Sequence, residues 1–204
     1  MCKEYYVKRV NALSGEPDWT RAEAAPIDRY LWLPKTDIYG TARLLYDAKA
    51  IYVRLEAAEQ NIRSVYQGNY DMVCEDSCLE FFLCPAAGDR RYFNMEVNPN
   101  GAYYLGFGFN NSDNIRLTVA DGRKLFGMKT LVSPGGWAVE YKIPLTFLKT
   151  FFPFLRLKKG LELRGNFYKC GDLTQTPHYI AWNEVKCEFP DFHNPDYFGK
   201  LIFA

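Results

Sequence analysis

Residues 78–84 read Cys-Leu-Glu-Phe-Phe-Leu-Cys. Side chains alternate between the two faces of a β-strand, so residues two apart share a face. Leu79, Phe81 and Leu83 therefore share an apolar face. Glu80 points to the opposite face of the same stretch. This pattern predicts a strand with one face in a hydrophobic core and another face that carries a carboxylate.

Two further stretches, 91–98 and 161–170, alternate in the same way. Their apolar positions are Phe93, Met95 and Val97 in the first stretch, and Leu163 and Phe167 in the second. If the three predicted strands are neighbours in one sheet, their other faces form a single polar surface. The residues of that surface are Glu80, Asn94, Glu96, Arg164, Asn166 and Tyr168.

This set combines carboxylate, amide, guanidinium and phenol groups, which can bind the adjacent hydroxyls of a sugar through paired hydrogen bonds. A sugar also needs an aromatic ring against its C–H face. The candidate rings are Trp182, Tyr92, Tyr168 and Tyr179. We interpret the surface as a carbohydrate-binding site. The alternative is an internal network in which buried polar groups pair with one another.

Short strand-like stretches separated by turn residues recur along the chain, which is typical of sandwiches and barrels. Further strands are predicted at 5–10, 41–46, 51–56, 102–107, 137–143, 179–182 and 198–203, and a short helix at 145–152. Residues 98–101, Asn-Pro-Asn-Gly, predict a turn. Residues 17–35 are interpreted as a long loop anchored by a buried Trp32. We predict a single all-β domain over 1–204, a jelly-roll-like, two-sheet antiparallel β-sandwich with one or two short helices.

Composition excludes several classes of function. The net charge of +1 gives no electrostatic footprint for nucleic acid. No stretch is long and apolar enough to predict a membrane span, and the N-terminus lacks the apolar run of a secretory signal. We expect a cytoplasmic protein, or a secreted or periplasmic one if a signal has been removed. The six cysteines lack zinc-finger spacing and are interpreted as small buried hydrophobes. The oligomeric state is left open.

Several segments, in this order, resemble carbohydrate-binding modules of family 9 and their stand-alone relatives. The most characteristic segment is Glu75-Asp76-Ser77-Cys78-Leu79-Glu80-Phe81-Phe82-Leu83. Two matching segments precede it, 41–47 and 51–54. The matching segments that follow it are 92–98 with Gly101, Trp137 with Ile143-Pro144, 164–170, 178–182, 190–195 and Phe198-Gly199. The resemblance covers nearly the whole chain.

The resemblance implies a non-catalytic β-sandwich that binds a mono- or oligosaccharide, in some members at the reducing end of a glycan, and an association with polysaccharide catabolism and its hydrolases. It implies that Glu80 contacts the sugar and that Trp182 is one of two stacking tryptophans. At the position of the other tryptophan this chain has Cys74, so either an aromatic such as Tyr70 replaces it or affinity is weak. Structural calcium is also implied, and acidic residues that can hold it are Asp71, Glu75, Asp76 and Asp89.

Other interpretations stay open at this point. Glu80 and Glu96 can form the carboxylate pair of a glycoside hydrolase. The sandwich can also have lost sugar binding and serve as an interaction module. The two histidines, His178 and His193, can ligate haem together with Met72, Met95 or Met128, or can pair with Cys187 as a nucleophile.

Overall fold

The computed structural model describes residues 2–10, 16–68 and 71–204. Its strands are β1 (Glu4–Arg9), β2 (Ala25–Ile27), β3 (Arg29–Tyr30), β4 (Tyr39–Tyr46), β5 (Ala50–Ala58), β6 (Cys78–Cys84), β7 (Tyr92–Val97), β8 (Tyr103–Gly108), β9 (Ile115–Arg116), β10 (Lys129–Ser133), β11 (Gly136–Pro144), β12 (Glu162–Cys170), β13 (Tyr179–Ala181) and β14 (Gly199–Phe203). The α-helices are α1 (Gly122–Phe126) and α2 (Leu145–Phe151), and single 3₁₀ turns lie at Trp19–Arg21, Val73–Glu75 and Pro195–Tyr197. The prediction of a mostly-β fold with one or two short helices is confirmed.

Eleven of the described strands follow one hydrogen-bonded path, in the order β10-β11-β5-β4-β1-β14-β12-β6-β7-β8-β9, and β2, β3 and β13 pair off this path. Strand β1 joins two layers, because Glu4–Val7 pair with β14 and Lys8–Arg9 pair with β4. Both of these pairings are parallel, whereas the other strand pairs are antiparallel. The fold is therefore a curled sheet that closes over itself. The sheet is mainly antiparallel, as the sequence predicts, and the two pairings of β1 are the exception among the described strands.

Most of the predicted strands and the helix at 145–152 form within a few residues of the expected bounds. The turn before β8 also forms as predicted: Gly101 has φ 71°, in the left-handed region that favours glycine. Residues 17–35 are not the long loop we expected. They contain the short strands β2 and β3, which pair with β4 and β13. Strands of only two or three residues show too little alternation to be recognised from sequence.

The two layers enclose an inner core, to which β6, β7 and β12 contribute their apolar faces. Phe81 and Phe167 stack there with ring centroids 5.0 Å apart. Helix α2 covers one end of this core, where Phe147 and Phe151 pack against Phe93. None of the described helices has the length and apolar character needed to cross a membrane.

A second apolar cluster lies on the outer face of β6, β7 and β12. Segments 31–32 and 183–198 cover that face, with Val185, Phe192 and Phe198 packed onto Phe82 and Tyr168. The face that alternation predicts to be polar is thus mostly roofed over. This covering layer decides which of its polar groups stay accessible.

Candidate functional site

Strands β12, β6 and β7 are neighbours in this order, as the polar-surface interpretation requires. Their register places Tyr168 opposite Glu80 and Glu80 opposite Glu96, so these three side chains form one row across the outer face. Asn94 lies on the same face and donates from Nδ2 to Oε1 of Glu96 at 2.8 Å. Alternation along single strands therefore brings two carboxylates side by side.

A pocket of about 130 Å³ opens above Glu80 and Glu96. Its lining residues are Trp32, Cys74, Glu80, Glu96, Asn111, Cys170, Asp172, Tyr179, Pro190, Asp191, Phe192 and His193. Glu80 and Glu96, both buried, form what we call the acidic floor. The described residues that line the pocket include four with carboxyl groups, and none of them is a lysine or arginine.

Burial changes the titration of the acidic floor. It raises the pKa of Glu80 well above the usual range of a carboxyl group, and the charge of Glu96 adds to this rise. Burial raises the pKa of Glu96 to about 7, although the hydrogen bond from Asn94 and the charge of Arg116 act in the opposite direction. Two ionised carboxylates directly opposite each other would repel. Burial and this repulsion both favour the protonated form of a carboxyl group in the acidic floor, and a protonated carboxyl group can donate as well as accept a hydrogen bond.

Trp32, Tyr179 and Phe192 line one side of the pocket and form what we call the aromatic wall. The ring of Trp32 lies 5.6 Å from those of Tyr179 and of Phe192, and its Nε1 donates to the Cys187 carbonyl at 2.8 Å. Trp32 is only half-buried and has φ 57°, which is unusual for a residue other than glycine. It is not the buried anchor that we predicted. The sequence shows Trp32 as a tryptophan within a proline-containing segment, but no sequence pattern predicts that it lies near Glu80.

Trp182 is not a pocket residue, contrary to what the resemblance implied. Its side chain is 3% exposed and lies in the inner core, where its ring meets those of Phe167 at 5.4 Å and Tyr5 at 6.4 Å. The reason is that successive side chains of a strand point to opposite faces. Ile180 and Trp182 face the inner core, whereas Tyr179 faces the pocket. Of the predicted aromatic residues, Tyr179 therefore reaches the site.

Four other predicted site residues are held under the covering layer and do not line the pocket. Arg164 donates to the Pro195 carbonyl, Asn166 donates to the Asn183 carbonyl, Tyr168 donates to the Phe192 carbonyl, and the Tyr92 hydroxyl lies 2.8 Å from Nδ1 of His193. These bonds fasten segment 183–198 to the sheet. The internal polar network that we considered as the alternative therefore accounts for this group. Asn94 acts on the pocket through Glu96, as described above.

The position that the resemblance assigned to the first stacking tryptophan is occupied by Cys74, which lines the pocket. Tyr70, the aromatic expected to replace it, lies outside the described residues. Trp32 enters from a different segment and supplies a tryptophan ring next to the same pocket. The histidines have protein partners. His178 is bonded to Lys169 and to the Thr176 carbonyl, and His193 to Tyr92.

The carboxylates that we associated with calcium accept hydrogen bonds from the protein. Asp76 is buried and accepts from Arg63, from the amides of Val65 and Tyr66, and from Asn98. Asp71, Glu75 and Asp89 accept from Gly68, Tyr66 and Arg91, respectively. Calcium needs about six to eight free oxygen ligands. Among the described residues, these carboxylates do not come together as one cluster of ligand atoms, so the structure assigns no calcium to them.

The chain is similar to known proteins in sequence and in fold. The model of carbohydrate-binding family 9 matches residues 16–203. A Bacteroides uniformis protein that is proposed to bind carbohydrate shares 30% identity, with all of both chains covered and a TM-score of 0.82. A protein of the fungus Arthroderma benhamiae, named as an extracellular protein, is 28% identical in an alignment 183 residues long, and the match covers 80% of this chain and 78% of the relative.

Two solved structures of a family 9 module from Caldicellulosiruptor kristjanssonii share the fold. The complex with glucose is 20% identical, covers 99% of this chain and 96% of its own, and has a TM-score of 0.70. The complex with cellotriose is 21% identical, covers 98% and 93%, and has a TM-score of 0.69. Because the family model covers nearly the whole chain, this protein belongs to carbohydrate-binding family 9.

Proposed function

We propose that this chain binds carbohydrate without altering it chemically, in the pocket between the acidic floor and the aromatic wall. The observation that carries the proposal is that a pair of carboxyl groups and a set of aromatic rings line the same pocket. Paired carboxyl groups suit sugar hydroxyls, and an adjacent face of aromatic rings suits sugar C–H groups. The residues that touch the sugar are Glu80, Glu96, Trp32 and Tyr179.

The size of the pocket favours a single sugar residue. Its volume of about 130 Å³ is well below the roughly 300–1,000 Å³ of pockets that hold larger ligands. An extended polysaccharide chain would need an open groove along the sheet, and segment 183–198 covers that face. We therefore propose that the protein takes the terminal residue of a glycan. Glucose and cellotriose, the ligands of the C. kristjanssonii module, are the first to test.

The charge of the pocket favours neutral sugars over acidic ones. Its described lining carries four carboxyl groups and no basic side chain. A uronic acid would place a further negative charge next to them, which disfavours binding. A glucan end carries no such charge.

The arrangement of the carboxyl groups supports binding over hydrolysis. A glycoside hydrolase needs two carboxyl groups that flank the scissile bond. Glu80 and Glu96 lie side by side on adjacent strands and form the same floor. A sugar above them meets both from one side. We propose no catalytic role for either.

Isothermal titration with glucose, cellotriose and glucuronic acid tests the proposal. We expect glucose and cellotriose to bind with similar affinity, since one residue enters the pocket, and glucuronic acid to bind at least about tenfold more weakly. Binding should not depend on added calcium. Trp32→Ala should remove measurable binding, whereas Tyr39→Ala, at an exposed tyrosine outside this pocket, should leave it intact.

A Trp32→Ala variant that binds as well as the wild type would contradict the proposed site. A folded wild-type protein that binds no sugar on a glycan array would contradict the proposed function. The interpretation as an interaction module would then be preferred.

A further inference from the structure

Two cysteines and one glutamate converge beneath the pocket. The thiol sulphurs of Cys78 and Cys170 and a carboxylate oxygen of Glu80 all lie within 4.8 Å of one another, and all three residues are buried. Cys170 also lies close enough to donate from Sγ to Oε1 of Glu80, at 2.9 Å. No other such group of three His, Cys, Asp or Glu side chains occurs among the described residues.

The sheet itself creates this cluster. Cys78 and Glu80 are two residues apart on β6 and so share the outer face. Cys170 on β12 is directly opposite Cys78 in the register. The three side chains therefore come from rigid, paired strands, which holds ligand atoms more firmly than loops do.

The three groups form a donor set for a thiophilic cation. Thiolates select ions such as zinc, whereas calcium prefers oxygen ligands. Zinc bonds sulphur at about 2.3 Å and carboxylate oxygen at about 2.0–2.2 Å, which places tetrahedral ligand atoms roughly 3.5–4 Å apart. Atoms already within 4.8 Å of one another need only small side-chain rotations to reach that spacing.

The cluster also has an open side. Glu80 and Cys170 line the pocket, whereas Cys78 lies behind them. Zinc sites with three protein ligands and one open position hold a water or a bound ligand at the fourth. On the same pocket, Oδ1 of Asp172 is buried and has no hydrogen-bond partner among the described residues. Such an acceptor can take a hydrogen bond from a water or hydroxyl that enters the pocket.

We propose that Cys78, Glu80 and Cys170 bind one thiophilic divalent cation, tested as zinc, at the floor of the pocket. As the cation enters, the two thiols and the carboxyl group release their protons to solvent, which leaves two thiolates and one carboxylate as ligands. The cation offsets part of the negative charge that the pocket concentrates. Its fourth ligand is water, or a sugar hydroxyl if the proposed function holds.

The test is a metal titration of the full chain, in a non-thiol reductant and after treatment with a chelator. Cobalt(II) should bind with a stoichiometry of one and produce a thiolate-to-cobalt charge-transfer band. Zinc should displace it and raise the melting temperature. The absence of that band in the folded wild-type protein would overturn the proposal.

Variants locate the site. Cys78→Ser and Cys170→Ser should each weaken zinc binding at least about 100-fold, and Glu80→Gln about tenfold or more. The matched control is Cys74→Ser, which changes a thiol that lines the same pocket but is not one of the three. Equal binding by the Cys74 and Cys170 variants would refute the assignment.

Intact mass provides a second measurement that does not depend on the variants folding. Cys78 and Cys170 lie opposite each other on adjacent strands and can also oxidise to a disulphide. A mass lower by two hydrogens that persists in the reductant, together with no metal uptake, would show a structural disulphide and overturn the proposal. Neither result bears on whether the pocket binds sugar, which the Trp32 experiment decides.

Discussion

The two faces of strands β12, β6 and β7 differ in what their side chains contact. On the inner face, Phe81 and Phe167 stack within the core and touch no solvent. On the outer face, Glu80 and Glu96 lie opposite each other under a pocket. Each face is equally regular in sequence. The difference is that the inner face meets the other layer of the curled sheet, whereas the outer face meets irregular segments that leave a gap.

The two tryptophans Trp182 and Trp32 make the same contrast. Trp182 belongs to the inner core and packs so closely on Gly199 that a Cβ there would lie 2.3 Å from its ring. Trp32 belongs to the outer face and leaves part of its ring accessible beside the pocket. We therefore expect the inner face to determine stability, and the proposed sugar site lies on the outer face. The following experiments can break or sharpen this comparison.

The largest effect is expected for Trp182→Ala. It removes a buried indole from the inner core and should lower the free energy of unfolding by about 3–5 kcal/mol, because a cavity is left behind. Urea denaturation measures this change, with Trp32→Ala as the control, which should cost much less. If Trp182→Ala were as stable as the wild type, the inner position of Trp182 would be wrong.

A slightly smaller effect is expected for Lys169→Met, at the end of the inner face. The Lys169 ammonium lies 3.1 Å from the carboxylate of buried Glu59 and 2.7 Å from Nε2 of His178. Removing it leaves the charge of Glu59 uncompensated, which should cost about 3 kcal/mol in chemical denaturation. The double variant with Glu59→Gln should recover most of that loss. No recovery would show that the pair is not coupled.

The outer face should show its effect in the pH dependence of stability. The pKa of Glu96 is raised from 4.5 to about 7 in the folded chain, so the folded state holds more protons than the unfolded state between these values. The free energy of unfolding should therefore fall as pH rises from about 4.5 through about 7. Glu96→Gln should flatten this fall, as followed by denaturation at several pH values. Parallel pH profiles for the two proteins would contradict the buried, protonated state.

The smallest effect is expected for Tyr179→Phe. This change keeps the ring of the aromatic wall and removes only the hydroxyl. Sugar affinity should change by no more than about threefold in calorimetry, whereas Tyr179→Ala should weaken it at least tenfold. A large loss in the phenylalanine variant would mean that the hydroxyl, rather than the ring, contacts the ligand.

Strand alternation predicted the fold and the position of the acidic floor. It placed Glu80 and Glu96 on one face, and the neighbouring strands bring them together as required. It did not predict how that face is covered. The predicted residues Arg164, Asn166 and Tyr168 share the face, but they bond to carbonyls of segment 183–198. The packing of an irregular segment depends on distant contacts that no local pattern records.

The amino-acid sequence alone determined the β architecture, the inner core and the row of carboxylates, because each follows from a period of two along a strand. Only the tertiary structure decided which aromatic residues meet that row. Trp32 reaches the pocket from a segment whose strands are all short. Trp182 faces the inner core, because its side chain points to the opposite face of the strand from the pocket residue Tyr179. Recognition depends on where chain segments cross, and that is a property of the folded chain as a whole.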